Sequence, residues 1–296
     1  MADWNGKTRG GVSGYAIFVF LVSFLPLKAV YWVLHFVVLY FFFFSPEAFK
    51  SIFGFFYTRK KFGRLKSLRY VWRNYHMLGQ SLIDKISLYS GCGHKFTFDF
   101  DGEEYLQEIA RGGKGGFLVS AHVGNWDVAG GMFDRIDSKI HIVMLDAEHR
   151  RIKDYLAGVL KNQKFNIIPI KDDFSHLVKI KEALQNNELI CIHGDRFVPG
   201  AKTVRKMFLG DEASFPAGPF ILPVKFNVPV TFVFAMKERS DHYHFFASKP
   251  VLFNLPLTAQ ERKNRSGLLL DQYISELEMM LDKYPEQWFN YYDFWS

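Results

Sequence analysis

The sequence predicts an α/β fold: a mostly parallel, mixed sheet flanked by helices, preceded by a hydrophobic membrane-anchoring helical segment at the N-terminus. Three observations predict it. Short apolar runs of strand length alternate with helix-length segments from about residue 117 to residue 283. Nearly every residue from Tyr15 to Phe44 is apolar. The chain of 296 residues is long enough to bury a sizeable core. The expected division is an anchor over residues 1–58 and one main domain over residues 59–296.

The anchor breaks at Pro26-Leu27-Lys28. A single tilted helix through Tyr15–Phe44 would hold Lys28 at mid-depth in a bilayer, which is costly. Two short helices meeting at Pro26, as a hairpin or in the membrane plane, avoid that cost. The apolar stretch is too long for a cleavable signal peptide, and no small-x-small cleavage site follows it. Next comes Arg59-Lys-Lys-Phe-Gly-Arg-Leu-Lys-Ser-Leu-Arg-Tyr-Val-Trp-Arg73, with seven basic residues and no acidic one. Phe62, Leu65, Leu68 and Trp72 recur at helical spacing, so residues 59–73 predict a basic amphipathic helix. It reads either as a solvated cover of the core or, beside an anchor, as a helix on anionic lipid. Its charge would place this side of the membrane in the cytoplasm.

Composition agrees. Aromatic residues make up 18% of the chain, with 32 Phe, which suits contact with lipid. The net charge of +7 suits an anionic partner. No zinc-ligand spacing, RNA-binding aromatic motif or basic recognition helix points to nucleic acid. Cys92 and Cys191 form no disulfide framework and read as buried thiols in a reducing compartment.

Farther along, residues 74–91 continue the helix, 96–100 alternate like a strand, and 103–111 form a short helix. The glycine-rich Arg111–Gly116 stretch lacks the spacing of a phosphate-binding loop and reads as a turn. Strands are expected at 139–145, 165–170, 188–193, 229–236 and 242–248, and helices at 149–162, 174–186, 217–226 and 267–283. In such sheets, sites gather at the carboxyl ends of strands.

The central stretch is Phe117-Leu-Val-Ser-Ala-His-Val-Gly-Asn-Trp-Asp127. A buried strand ends at a Gly-Asn break, and Val128–Phe133 reads as the start of a helix. His122 then sits on the turn and Asp127 in the first helical turn. On one continuous helix the two would diverge, whereas across a strand–turn–helix they can converge. That geometry suits a histidine general base with a carboxylate holding its tautomer. Spacing alone fits equally a satisfied strand-end histidine and a helix-start carboxylate. A second polar cluster follows the strand Leu189–His193: Gly194, Asp195 and Arg196. Arg196 offers a planar fork for a phosphate or carboxylate, and Asp195 could orient Arg196 or an acceptor. His193, ending an apolar run, reads as structural. No His, Cys and carboxylate spacing forms a metal-ligand set.

The block Ser120-Ala-His-Val-Gly-Asn-Trp-Asp127 resembles the one that carries the HX4D motif in the late acyltransferases of lipid A biosynthesis, within the lysophospholipid acyltransferase superfamily. The Gly-Asp-Arg cluster, the segment Phe208-Leu209-Gly210, Phe215-Pro-Ala-Gly218, Asn227-Val-Pro-Val-Thr231 and Tyr284-Pro-Glu-Gln-Trp-Phe-Asn290 are similar to later family blocks in the same order. The resemblance spans roughly residues 65–295. It implies a glycerolipid acyltransferase-like fold and direct transfer of an acyl chain from an acyl carrier protein or coenzyme A thioester to a hydroxyl or amine of a membrane lipid. No cofactor is implied beyond that co-substrate.

In the implied scheme His122 is the base and Asp127 its partner. Asn125, Trp126, Asp195, Arg196, Phe208, Gly210 and Phe215 contact substrate. Backbone N–H groups of Val123-Gly124-Asn125 serve the developing oxyanion. The implied partners are a lipid acceptor, an anionic bilayer and acyl carrier protein, at the cytoplasmic face of the cell inner membrane.

Two departures leave the acceptor open. Leu145-Asp146, with Glu148, His149 and Arg150 after it, stands where the family often has Tyr-Arg, and Tyr291-Tyr-Asp-Phe-Trp295 replaces a basic C-terminal segment. A lysophospholipid or aminolipid acceptor is the alternative. A non-catalytic monotopic lipid-binding protein is the alternative of another class. A serine hydrolase fits poorly, because no G-x-S-x-G motif is present.

Overall fold

The computed structural model describes residues 11–89, 96–131, 136, 138–145, 165–171, 173–197, 200–253 and 258–295. The expected helix at 149–162, Cys92 and the polar group at 146–150 lie outside the described residues.

The N-terminal apolar stretch forms two helices, α1 (Gly11–Phe24) and α2 (Leu27–Phe44), broken at Pro26 as the sequence predicts. After α3 (Pro46–Gly54) and a π-helical turn (Phe55–Arg59), one long helix, α4 (Arg64–Tyr89), covers both the polybasic stretch and its continuation. Its buried stripe differs from the expected one. Ser67, Val71, Asn74 and Tyr75 face inward, while Leu65 is 84% exposed. Tertiary packing, not the hydrophobic pattern alone, sets this rotation: Asn74 and Ser67 are drawn inward by backbone carbonyls they can reach.

The main sheet has seven strands: β1 (Thr97–Asp101), β2 (Gly116–Ser120), β3 (Ile140–Leu145), β4 (Phe165–Ile170), β5 (Leu189–His193), β8 (Val230–Arg239) and β9 (His242–Ala247). Their spatial order is β1-β9-β8-β2-β5-β3-β4, and every pairing is parallel except β8 with β9. The α/β expectation holds. A hairpin absent from the sequence reading, β6 (Thr203–Phe208) with β7 (Asp211–Pro216), stands apart from this sheet. Its tight turn puts Leu209 and Gly210 both at positive φ, which favours glycine. Helices α5 (Glu103–Arg111), α6 (Ser175–Gln185), α7 (Gly218–Phe226) and α8 (Ala259–Lys283) complete the described framework. Alternation along β2 sends Phe117 and Val119 to one face and Leu118 to the other, each into its own hydrophobic cluster. With both faces covered, β2 reads as a continuous apolar run.

The larger cluster runs from Val22, Leu34 and Val38 through Ile52 and Phe56 to Trp288, so the expected boundary near residue 58 crosses a packed core. Leu34 of α2 sits so close to Gly79 of α4 that a Cβ there would lie 2.5 Å from its methyl carbon. Beneath this contact is a buried polar hub. Asp84 of α4 accepts hydrogen bonds from Tyr31 of α2, Lys237 of β8 and Tyr243 of β9. Lys237 also donates to the Tyr31 hydroxyl at 2.9 Å and to the carbonyl of Ser240 at 3.1 Å.

Asp84 and Lys237 are almost wholly buried, so removing one partner strands a charge. Asp84→Ala should therefore destabilise the protein by about 3–5 kcal/mol, and the double variant Asp84→Leu, Lys237→Met should recover only part of that loss, because the buried Tyr243 hydroxyl loses its acceptor. Denaturant titration in detergent checks both.

Candidate active site

β2 is the central strand that carries the site, and its register with β5 sets the geometry. Ser120 pairs with His193, so two residues past the strand ends His122 comes to lie beside Asp195. The Gly194 amide continues the pairing by donating to the Ser120 carbonyl at 2.8 Å, and the Tyr273 hydroxyl donates to the same oxygen at 3.0 Å. Asp195, 1% exposed, then grips His122 with both oxygens. One accepts from the His122 backbone amide at 2.9 Å and the other lies 2.8 Å from the ring Nδ1.

Burial alone would raise the Asp195 carboxyl. The His122 hydrogen bond and the positive charge of Arg196 outweigh it and hold the group well below the usual carboxylate range. An ionised Asp195 can only accept, so the ring proton sits on Nδ1 and Nε2 is the basic nitrogen. Burial and the neighbouring Arg196 lower the His122 pKa against the opposing pull of Asp195, so the ring is neutral at pH 7.

Asp127 does not fill the role the spacing suggested. A short 3-10 helix, Trp126–Gly131, follows the turn in place of an α-helix start, and it brings Asp127 to Lys85 of α4, 3.0 Å away. Lys85 also lies over the Trp126 ring at 5.8 Å. The turn itself needs glycine: Gly124 has φ +70°, and a Cβ would stand 2.1 Å from the Ala235 carbonyl oxygen.

Two of the three expected oxyanion donors are engaged elsewhere. Gly124 N–H donates to Gln287 and Asn125 N–H to Ala235. The Asn125 side chain is a buried bolt, donating to the Ser81 carbonyl and the Tyr243 hydroxyl at 3.1 Å each, and is not placed to contact substrate. Phe208 and Phe215 are fully buried in an aromatic core with Phe294, and Phe208 also stacks on Trp295. Gly210 is the hairpin turn. None of these three lines the site: the hairpin folds Phe208 and Phe215 onto the C-terminal aromatic segment and leaves Gly210 exposed at its tip.

The cluster after β5 does converge on His122. Arg196 donates to the carbonyl of Phe289, while its Nε is buried without a hydrogen-bond partner among the described residues. His193, read from sequence as structural, packs tilted against His122 with ring centroids 4.3 Å apart and has Trp126 against its edge. Burial and the His122 ring push His193 down to about 3, so it stays neutral. One ligand atom each from His122, His193 and Asp195 lies within 4.8 Å of the others, a grouping that linear spacing did not reveal and that could hold a metal ion.

Beside Trp126, an apolar trough opens on one sheet face, lined by Leu118, Ser120, Cys191, Ala235 and Phe245 among others. Burial pushes the Cys191 thiol up to about 12, so it stays a protonated, apolar wall.

A neutral histidine held by a buried carboxylate at a strand end can accept a proton from a reacting group. The family model described as bacterial lipid A biosynthesis acyltransferase matches residues 70–295. The chain belongs to this family. It is an acyltransferase of α/β fold. Among solved structures it is similar to the 1-acyl-sn-glycerophosphate (LPA) acyltransferase PlsC from Thermotoga maritima, with 14% identity, coverage of 83% of this chain and 98% of that one, and a TM-score of 0.37. No curated protein sequence matches.

The geometry ranks the two carboxylates of this acyltransferase. Asp195→Asn should lower kcat by on the order of 10³-fold or more, as loss of a tautomer-setting carboxylate does, and Asp127→Asn should lower it less. Steady-state kinetics decide the order.

A second outcome follows from the lowered pKa of His122. Only the neutral ring accepts a proton, so kcat/KM should stay level down through neutral pH and fall only below the ordinary histidine value of about 6.5. Arg196→Gln removes a charge that lowers the pKa, so it should move that acid limb to higher pH.

Proposed function

We propose that the protein transfers a fatty acyl chain from an acyl carrier protein or coenzyme A thioester to a hydroxyl or amine of a lipid acceptor, lipid A-like in the first instance. The observation that carries this reading is the Asp195-held His122, two residues past Ser120, which with Leu118 and Trp126 lines an apolar trough. His122 Nε2 takes the acceptor's proton as its oxygen or nitrogen attacks the thioester carbonyl carbon. The C–S bond breaks, and the departing thiolate takes the proton back from His122. Asp195 keeps the proton on Nδ1 and stabilises the transient imidazolium. The acyl chain lies in the trough, whose lining is mostly apolar, with Asp101, Glu103 and Ser120 as its polar members.

The second nearby charge is Arg196. With one nitrogen tied to the Phe289 carbonyl and no partner for Nε among the described residues, it is suited to a phosphate or carboxylate of donor or acceptor.

Membrane attachment at the cytoplasmic face of the inner membrane is part of the same reading. α2 is long and apolar enough to cross a membrane, with a mean hydropathy of 1.9. It packs Tyr31, Leu34 and Val38 inward and leaves Trp32, Phe36, Phe43 and Phe44 exposed. Together with Phe20 and Phe24 of α1 these make an aromatic outer surface, suited to lying in a bilayer interface. The basic residues at the start of α4 suit anionic headgroups or an acidic carrier protein.

The test offers radiolabelled acyl carrier protein and coenzyme A thioesters to a total lipid extract, using full-length protein in anionic lipid–detergent micelles. Label should enter one lipid class with wild type and not with His122→Ala, and the mass of the product names the acceptor. Equal transfer by folded His122→Ala would overturn the assignment of the base. Cys191→Phe, which narrows the trough, should shift the preferred donor to shorter chains. An unchanged chain-length profile would remove the acyl chain from the trough.

A further inference from the structure

The C-terminal segment supplies half of the turn that carries His122. Around Val123 and Trp288 the two stretches form a short antiparallel bridge. Phe289 N–H donates to the His122 carbonyl and Gly124 N–H to the Gln287 carbonyl, each at 2.9 Å. The Phe289 carbonyl in turn seats the Arg196 guanidinium. Residues 287–289 thus touch both the histidine backbone and the arginine whose charge acts on that histidine.

What fixes the segment is a set of buried amides. Gln287, 2% exposed, forms a two-bond match with the Lys237 backbone: its Oε1 accepts from the Lys237 N–H at 2.9 Å and its Nε2 donates to the Lys237 carbonyl at 2.8 Å. Asn74, fully buried on α4, donates to the carbonyls of Glu286 and Trp288 at 3.0 and 2.8 Å. Trp288, 2% exposed, fills the wedge between Phe55, Phe208 and Phe294. The other side of the turn is tied to the same β8 strand through Asn125 and Ala235.

We propose that residues 285–289 act as a clamp that sets the position of His122 and Arg196 for acyl transfer, with Gln287 and Asn74 as positioning residues that touch no substrate. The inference rests on the reading of His122 as the base. A general base works only within a few tenths of an ångström of its hydrogen-bond distance, so loosening its backbone lowers the rate without abolishing binding.

Gln287→Met keeps side-chain length and removes both bonds to Lys237. Asn74→Ala leaves Gln287 in place and removes the buried amide tie to α4, while the Arg73–Glu286 ion pair remains. Each is assayed as full-length protein beside wild type and His122→Ala, measuring the melting temperature, kcat, donor KM and the acid limb of kcat/KM. The clamp predicts that kcat falls about 10- to 100-fold while donor KM changes less than twofold. It also predicts an acid limb moved to higher pH, because Arg196 leaves its seat.

A merely structural role lowers the melting temperature but leaves kcat per folded molecule and the acid limb unchanged, and that result overturns the proposal. If Gln287→Met does not fold, Asn74→Ala decides the matter by the same measurements. Retained activity in these variants with a dead His122→Ala sinks the clamp alone, whereas an active His122→Ala sinks the base on which it rests.

Discussion

Taking a carboxylate out of water costs several kcal/mol unless its charge and lone pairs are answered, and the site is arranged around answering those of Asp195. Its two oxygens meet the backbone and ring of His122, and Arg196 adds a positive charge nearby. Each partner is fixed by something else. β2 holds the His122 backbone, the Ser120–Gly194 bond carries the β2–β5 register past the strand ends, and the Phe289 carbonyl holds Arg196. The result is a neutral imidazole with a defined tautomer in a partly buried place. Desolvation and a nearby cation make the protonated ring less favourable, while the carboxylate limits how far that effect goes.

The same economy of buried polar groups joins the apolar N-terminal helices to the site. Asp84 gathers Tyr31, Lys237 and Tyr243, and Tyr243 passes the connection to Asn125 in the turn after His122. The helix with the exposed aromatic face is therefore built into the framework of the turn that carries His122. Leu34 against Gly79 and the aromatic contacts between α2 and α4 close the interface. A polar network this dry is tolerable because its members satisfy one another, and each satisfied pair also fixes one relative placement of the elements.

The aromatic richness of the chain divides between two tasks. The rings of Phe208, Phe215, Trp288, Phe294 and Trp295 pack edge-to-face and stacked around the C-terminal segment, which accounts for why Phe208 and Phe215 are core and not lining. On α1 and α2, by contrast, Phe20, Phe24, Trp32, Phe36, Tyr40, Phe43 and Phe44 stay exposed. Composition alone could not separate these uses, because a phenylalanine has the same hydropathy in a core as in a lipid-facing helix.

The sequence makes legible the α/β alternation, the break at Pro26, the placement of His122 on a strand-end turn and the family, because these depend on periodicity, on proline and glycine geometry and on contiguous motifs. It also brought Asp195 and Arg196 forward as a polar cluster after a strand. Only the tertiary structure decided which carboxylate serves His122. The choice depends on β2 pairing with β5 in one register, a contact between residues more than seventy positions apart, whereas Asp127 is close in sequence and turned toward Lys85. The inward face of α4 and the Gln287 amide pair were hidden for the same reason. Each is fixed by a partner distant in the chain, and local pattern carries no record of which distant backbone will complete a hydrogen bond.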